Sequence, residues 1–221
     1  MIAMTAGLHG SASTWVFNVA RELASVAFGT DGVHADYLED ADQIPVGVLS
    51  SGRSLLVKSH YGSDSLDRWM TECGARIIVS VRDPRDATLS MMRRFGATAD
   101  VAAGWLARDC GRILRLLDAG HPVFRYEDRF FDNAMSVPIV AERLGLAADP
   151  SAMPAIFARY RTDALRTTTV SAAGADPITQ IWPNHIGDTL SGKWRSVPPP
   201  GRDALNRILG PFIGGLGYPV A

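Results

Sequence analysis

The feature that most constrains the fold is a series of short, near-continuous apolar runs, each ending on polar or charged residues. Ser54–Val57 (SLLV) leads into Lys58-Ser59-His60, Ala75–Val81 (ARIIVSV) into Arg82-Asp83-Pro84, and Pro122–Tyr126 into Glu127-Asp128. A strand with one face in water alternates apolar and polar residues. Runs that do not alternate need cover on both faces, which is the situation of a parallel sheet between helical layers. A further strand is predicted at Ile2–Ala6, before a Gly/Ser loop over 7–13.

The segments between these runs have helical spacing. Val16, Ala20, Leu23 and Ala27 recur on one side of Trp15–Phe28; Ala102, Trp105, Cys110, Ile113 and Leu117 do so in Asp100–Leu117. A helix over Ser136–Leu144 ends at Gly145, a C-cap residue, and a last one over Ala204–Leu216 turns Leu205, Ile208, Leu209 and Phe212 inward. Strands alternating with helices give an α/β class: three layers, a central, mainly parallel sheet flanked by helices, and right-handed crossovers. Two stretches stand outside this pattern. Residues 29–53, rich in Gly, Asp and Pro, read as an irregular excursion with at most a short helix; residues 163–200, rich in Thr, Ser, Gly and Pro, read as a lid or binding loop.

The 221 residues suit one domain spanning 1–221, and a formal net charge of -1 excludes a general affinity for nucleic acid. Any anion site must be local. Cys73 and Cys110 form no metal or disulfide pattern, the opening MIAMTAG lacks the charge of a secretion signal, and no run is long enough for a bilayer. A cytoplasmic location follows as the expectation, with no membrane partner and with homo-oligomerisation left open.

Three segments carry chemistry. In GLHGSASTW the small residues let backbone N–H groups converge at a helix N-terminus, with Ser11, Ser13 and Thr14 as hydroxyl donors. The segment lacks the Gly-Lys-Ser/Thr ending of a nucleotide-triphosphate loop, and a plain capped turn is the alternative. Lys58 and His60 close a strand at the end where doubly wound sheets bind ligands, so they pair a cation with a general base. A solvated lysine beside a histidine satisfied by a loop carbonyl is the alternative. Third, Arg82 ends a strand and Ser90 lies one or two turns into the following helix, where both converge on one phosphate; an Arg–Asp cluster capping the helix is the other reading.

In this order the three segments resemble the sulfotransferases that use 3′-phosphoadenosine 5′-phosphosulfate (PAPS), a family of P-loop-type fold. Its P-K-S-G-T-T-W loop is matched by His9-Gly-Ser-Ala-Ser-Thr-Trp15, its K-T-H by Lys58-Ser59-His60, and its Arg and Ser eight residues apart by Arg82 and Ser90. Phe124-Arg-Tyr126-Glu127-Asp128 is similar to its Y-E-D-L segment. Asn184-His185-Ile-Gly187 with Gly192-Lys193-Trp194-Arg195 is similar to its closing loop R-K-G-x-x-G-x-W. The resemblance implies that Ser11, Ala12, Ser13 and Thr14 cradle the 5′-phosphate and that Trp15 and Tyr126 approach adenine. It implies that Arg82 and Ser90 hold the 3′-phosphate, helped by Gly192, Lys193 and Arg195.

The resemblance further implies sulfuryl transfer to a hydroxyl of a small acceptor, with His60 as general base, Lys58 stabilising charge, 3′-phosphoadenosine 5′-phosphate (PAP) as product and no metal required. The chain departs from the family at Gly10, which stands at the place of the loop lysine; Lys58 and His9 are the nearest cations to take its load. It departs again at the closing loop, where the Arg-Lys pair is missing. Arg93 and Arg94 are expected in solvent, and residues 29–53, 61–70 and 163–184 beside the acceptor. A kinase of a small metabolite, or a non-catalytic nucleotide-binding relative, would share the loop–helix junction.

Overall fold

In the computed structural model, which describes residues 1–147, 149–167, 176–182 and 186–220, five strands form one sheet. They are β1 (Ile2–Gly7), β2 (Val33–Tyr37), β3 (Ser54–Ser59), β4 (Arg76–Val81) and β5 (Val123–Arg125), in the order β2-β3-β1-β4-β5. Every pairing is parallel. The helices are α1 (Ser13–Phe28), α2 (Val46–Ser50), α3 (Asp64–Glu72), α4 (Pro84–Phe95), α5 (Ala99–Asp118), α6 (Ser136–Leu144), α7 (Met153–Tyr160), α8 (Thr162–Thr167) and α9 (Pro199–Ile213).

Both faces of the sheet are covered, which is why the middles of the central strands β1, β3 and β4 are mostly apolar. Met4, Ala6, Leu55, Val57, Ile77 and Val79 pack against Met91 of α4, Leu106 and Ile113 of α5 and Leu205 and Leu209 of α9. On the opposite face Ala3, Leu56 and Ile78 meet Val16, Phe17 and Leu23 of α1, Val137 and Val140 of α6 and Ile156 of α7. Leu56 is fully buried. Truncating such a leucine to alanine costs about 2–5 kcal/mol through lost burial and the cavity left behind.

Chain order turns around at β1, which lies between β3 and β4. The crevice beyond the carboxyl ends of these strands is the natural ligand position of an open α/β sheet. Three chain ends meet there: Ala6 is level with Ser59, and Gly7 with Ser80.

The excursion expected over 29–53 is corrected by β2, an edge strand in register with β3 from Val33↔Ser54 to Tyr37↔Lys58. Its sequence VHADY has only one fully buried residue, Val33, because an edge strand needs little apolar cover. The last helix starts at Pro199 rather than Ala204, since proline fits the first helical turn, where its missing N–H is not needed. Leu205, Leu209 and Ile213 are its buried stripe, with Ile208 and Phe212 partly covered. In α5 the buried stripe includes Ala103, Leu106 and Leu116, while Trp105 and Leu117 sit at its margin. Gly145 ends α6 in the left-handed conformation expected of it. No described helix is long and apolar enough to cross a membrane.

Candidate active site

The loop between β1 and α1 is shaped by two close constraints. At Gly7 a Cβ would lie 2.2 Å from Ser80 Oγ and 2.8 Å from Ser13 Cβ, so only glycine lets β1 pass this near to β4. The chain then adopts positive φ at Gly10 (76°) and at Ala12 (61°), the N-cap of α1. Ala12 offers no side-chain acceptor, so the N–H groups opening α1 are left for a ligand. Ala12, Ser13, Thr14 and Trp15 line a cavity above this helix end. Ser11 does not. Its fully buried hydroxyl donates to Leu8 O (2.7 Å) and pairs with Ser80 Oγ (2.9 Å), which ties the loop to β4.

Lys58 and His60 leave β3 into the same cavity, and both are buried. His60 Nδ1 lies 2.6 Å from Gly7 O. A carbonyl only accepts, so Nδ1 carries the proton and Nε2 keeps its lone pair, 3.4 Å from Lys58 Nζ. Burial drives the imidazole well below its ordinary pKa, and the charges of His9 and Lys58 add to this. Burial likewise brings the Lys58 ammonium down to about 7, with Arg94 contributing. Beneath them Arg112 of α5 donates to Ser59 Oγ (3.0 Å) and His60 O (3.1 Å) while paired with Asp67 of α3. A Cβ at Gly62 would lie 2.4 Å from that guanidinium, so the turn after β3 wraps directly over it.

Arg82 faces the cavity at the end of β4, stacked 3.9 Å from the Tyr126 ring centroid. It donates to Gly10 O (3.1 Å) and Leu190 O (2.8 Å), and its buried Nε has no partner. Ser90 lines the same wall. The Arg–Asp cap is present as well, on a different arginine. Asp83 accepts from the N–H of Arg85 (3.0 Å) and holds its guanidinium at 2.9 and 2.8 Å. Glu127 accepts from Asp83 N (3.0 Å) and from Tyr218 (2.8 Å), so it braces the junction of β4 and α4.

The segment after 186 docks through Asp86, which accepts from the N–H of Gly192 and from that of Trp194 (2.9 Å). Lys193 lines the cavity while paired with Asp188 (2.7 Å). Gly192 supplies the turn, with φ 80°, and is not a lining residue. Arg195 is exposed, lies against Trp194 and is not one either. Asn184 and His185 fall outside the described residues.

No protein-family model matches the sequence, and no curated protein does. Among solved structures, the chain is similar to a mouse sulfotransferase, SULT7A1, complexed with PAP, with a TM-score of 0.67 at 12% identity over 96% of this chain and 84% of that one. It is similar also to a retinol dehydratase in complex with retinol and PAP, with a TM-score of 0.58 at 14% identity over 96% and 81%. The chain has the sulfotransferase fold.

Within this sulfotransferase fold the cavity, of about 280 Å³, brings together Lys58 and Arg82 from the strand ends with cations from other segments. Arg93 and Arg94, expected in solvent, both line it; Arg93 is exposed as expected, and Arg94 is half-buried. Arg94 is partly buried against Phe95 and Trp182, and its pKa is lowered to about 10 by burial and by Arg93. The spacing contained the signal: Ser90 and Arg94 are four apart on one helix and therefore share a face. Tyr37, Leu165, Ile181 and Trp182 reach the cavity from the two long excursions, whereas residues 61–70 contribute nothing to its lining.

One pairing had no local signal at all. His9 lies on Asp109 of α5 (Nδ1···Oδ2 2.7 Å) and stacks on His60, their ring centroids 3.9 Å apart. The ligand atoms of His9, His60 and Asp109 all fall within 4.8 Å of one another, but both Nδ1 atoms are engaged in hydrogen bonds and Lys58 stands beside them. The trio therefore suits a hydrogen-bonded cluster better than a cation. Ser13, Thr14, Lys58, Arg82 and Ser90, which line the cavity, instead bring donor groups to it, as an anionic ligand requires.

Proposed function

We propose that the protein is a PAPS-dependent sulfotransferase acting on a hydroxyl of a small acceptor. The observation that carries this reading is the pinned tautomer of His60: its Nδ1 is committed to Gly7 O, which leaves Nε2 a bare base next to Lys58 in a donor-lined cavity. Ala12, Ser13 and Thr14, on the N-terminus of α1, suit the 5′-phosphosulfate; Arg82 and Ser90 suit the 3′-phosphate; Trp15 and Tyr126 suit the adenine. The donor supplies a sulfuryl group and leaves as PAP.

His60 Nε2 accepts the proton of the acceptor hydroxyl while its oxygen forms the new bond to sulfur. Such positioned bases contribute typically about 10²–10⁴-fold. Lys58, poised near neutrality when the site holds no anion, takes up full charge beside one and stabilises the oxygens on which charge develops. These roles need positioned donors and one base, and no metal. A cytoplasmic setting fits the same chemistry.

PAP titrated with EDTA present, and with ATP as competitor, tests the reading. Binding that is independent of metal and unmatched by ATP is expected, and a preference for Mg-ATP would replace the reading with a kinase. His60→Ala is expected to retain PAP affinity while losing at least about 100-fold in PAP formation from PAPS. Loss of affinity and turnover together would make His60 structural.

A further inference from the structure

We propose that His9, held by the buried carboxylate of Asp109, is a second catalytic residue of this site, its Nε2–H binding the sulfuryl oxygens of the donor in the place of a loop lysine. The inference rests on the sulfotransferase reading and goes beyond it, because it brings in Asp109, which no sequence motif contains, as the residue that holds His9 in place.

The geometry comes first. Asp109 is fully buried on α5, and its Oδ2 accepts from both the backbone N–H (3.0 Å) and Nδ1 (2.7 Å) of His9. Two bonds from one oxygen fix the loop and the ring together, and the opposite edge of the ring, with Nε2, turns away from α5. His9 lines the cavity next to Lys58 and His60. Its ring lies on that of His60 at 25° between planes and 3.9 Å between centroids, with Tyr61 against it at 4.7 Å. Whatever oxygen gives its proton to His60 therefore reacts alongside His9.

The chemistry separates the two imidazoles. His60 Nδ1 faces a neutral carbonyl, whereas His9 Nδ1 faces a carboxylate that also has an unpartnered Oδ1. A buried carboxylate stabilises an imidazolium and fixes its orientation. An imidazolium at His9 would have the Asp109 carboxylate as its counter-charge at Nδ1, whereas His60 has only the neutral Gly7 carbonyl there. Burial above all, and after it the nearness of His9, holds the stacked His60 well below its ordinary pKa. One ring of the stack is then a hydrogen-bond donor and the other a base, a division of roles set by environment.

The backbone explains why the cation sits here rather than one residue later. Gly10 has φ 76°, a conformation in which an L side chain is strained by about 1–2 kcal/mol. His9 precedes that turn and has its own anchor on α5.

The test compares two ligands that differ in the sulfuryl group. Affinities for PAPS and for PAP are measured by calorimetry on the wild-type chain, His9→Ala, His9→Gln and Asp109→Asn. Losing a charged hydrogen bond corresponds to about a 10–100-fold change in affinity. His9→Ala and His9→Gln are expected to weaken PAPS by that factor and leave PAP within about twofold. Asp109→Asn, which removes the charge balance without touching the donor, is expected to fall between them and wild type. Gly10→Lys added to His9→Ala is expected to restore part of the PAPS affinity. Equal loss for PAPS and PAP, or no loss for either, would overturn the inference and leave the sulfotransferase reading in place. Failure of the wild-type chain to bind either nucleotide would overturn both.

Discussion

Lys58 offers a prediction whose size follows from its surroundings. The side chain is 5% exposed, its ammonium has His60 Nε2 as its hydrogen-bonding neighbour among the described residues, and burial brings its pKa from 10.5 to about 7. At about 1.4 kcal/mol for each tenfold change in proton affinity, that displacement corresponds to roughly 4–5 kcal/mol of destabilisation carried by the ligand-free fold. The sign follows from the lowered value. Below about pH 7 the folded and unfolded chains both hold the proton and the full cost is present. Between about pH 7 and 10.5 the unfolded chain holds more proton than the folded one, so stability rises with pH. By about pH 9 the remaining cost is about 2 kcal/mol.

Lys58→Met keeps an unbranched chain of similar length and removes the charge. Urea unfolding of the nucleotide-free protein at about pH 6 and about pH 9 reads the effect. The variant is expected to exceed wild type by at least about 2 kcal/mol at the lower pH, with the gap closing by roughly 2–3 kcal/mol at the higher one. The same variant should lose affinity for PAPS, since stability and binding pull the residue in opposite directions. Parallel pH profiles for the two proteins, or a variant less stable at about pH 6, would refute the reasoning.

Three further outcomes are expected. On the proposed reading Arg82→Ala weakens PAP by about 10–100-fold, and leaves adenosine 5′-phosphosulfate, which lacks the 3′-phosphate, within about threefold; equal losses would move the 3′-phosphate elsewhere. Asp86→Ala strips two buried N–H groups of their acceptor and should cost about 2–3 kcal/mol, with a red shift in tryptophan emission as Trp194 loosens. Unchanged stability and emission would show that the segment docks by other contacts. Gly7→Ala places a methyl group 2.2 Å from Ser80 Oγ and should destabilise by about 1–3 kcal/mol, read as a lower urea midpoint; a neutral result would mean that β1 and β4 separate freely.

What the sequence disclosed follows a physical division. The central strands were legible because burial on both faces leaves no polar position in Leu55, Leu56 and Val57 or in Ile77, Ile78 and Val79. The edge strand β2 was not, because VHADY meets solvent on one side and carries residues that also suit a loop. Lys58, His60 and Arg82 could be placed together because strand ends fix where side chains emerge, and the structure brings them into one cavity with Ser90 of α4. Ser11 illustrates the limit of that logic. It lies in the right loop, but its hydroxyl is spent on Leu8 and Ser80, a contact set by the approach of β4. The pairing of His9 with Asp109 spans 100 positions and depends on where α5 crosses the sheet. No local pattern encodes it.

That crossing has a consequence for how such a chain can change. One turn of α5 carries Asp109, which anchors the loop before α1, and Arg112, which anchors the end of β3. The two stacked histidines are therefore aligned by the pitch of a single helix as well as by their own contacts. A residue inserted between the anchors would rotate one from the other by about 100° and shift it by about 1.5 Å, pulling the imidazoles out of face. A residue inserted earlier in the helix would swing both anchors off the sheet together. Substitutions are absorbed around this turn as long as packing is kept; a change in its length is not.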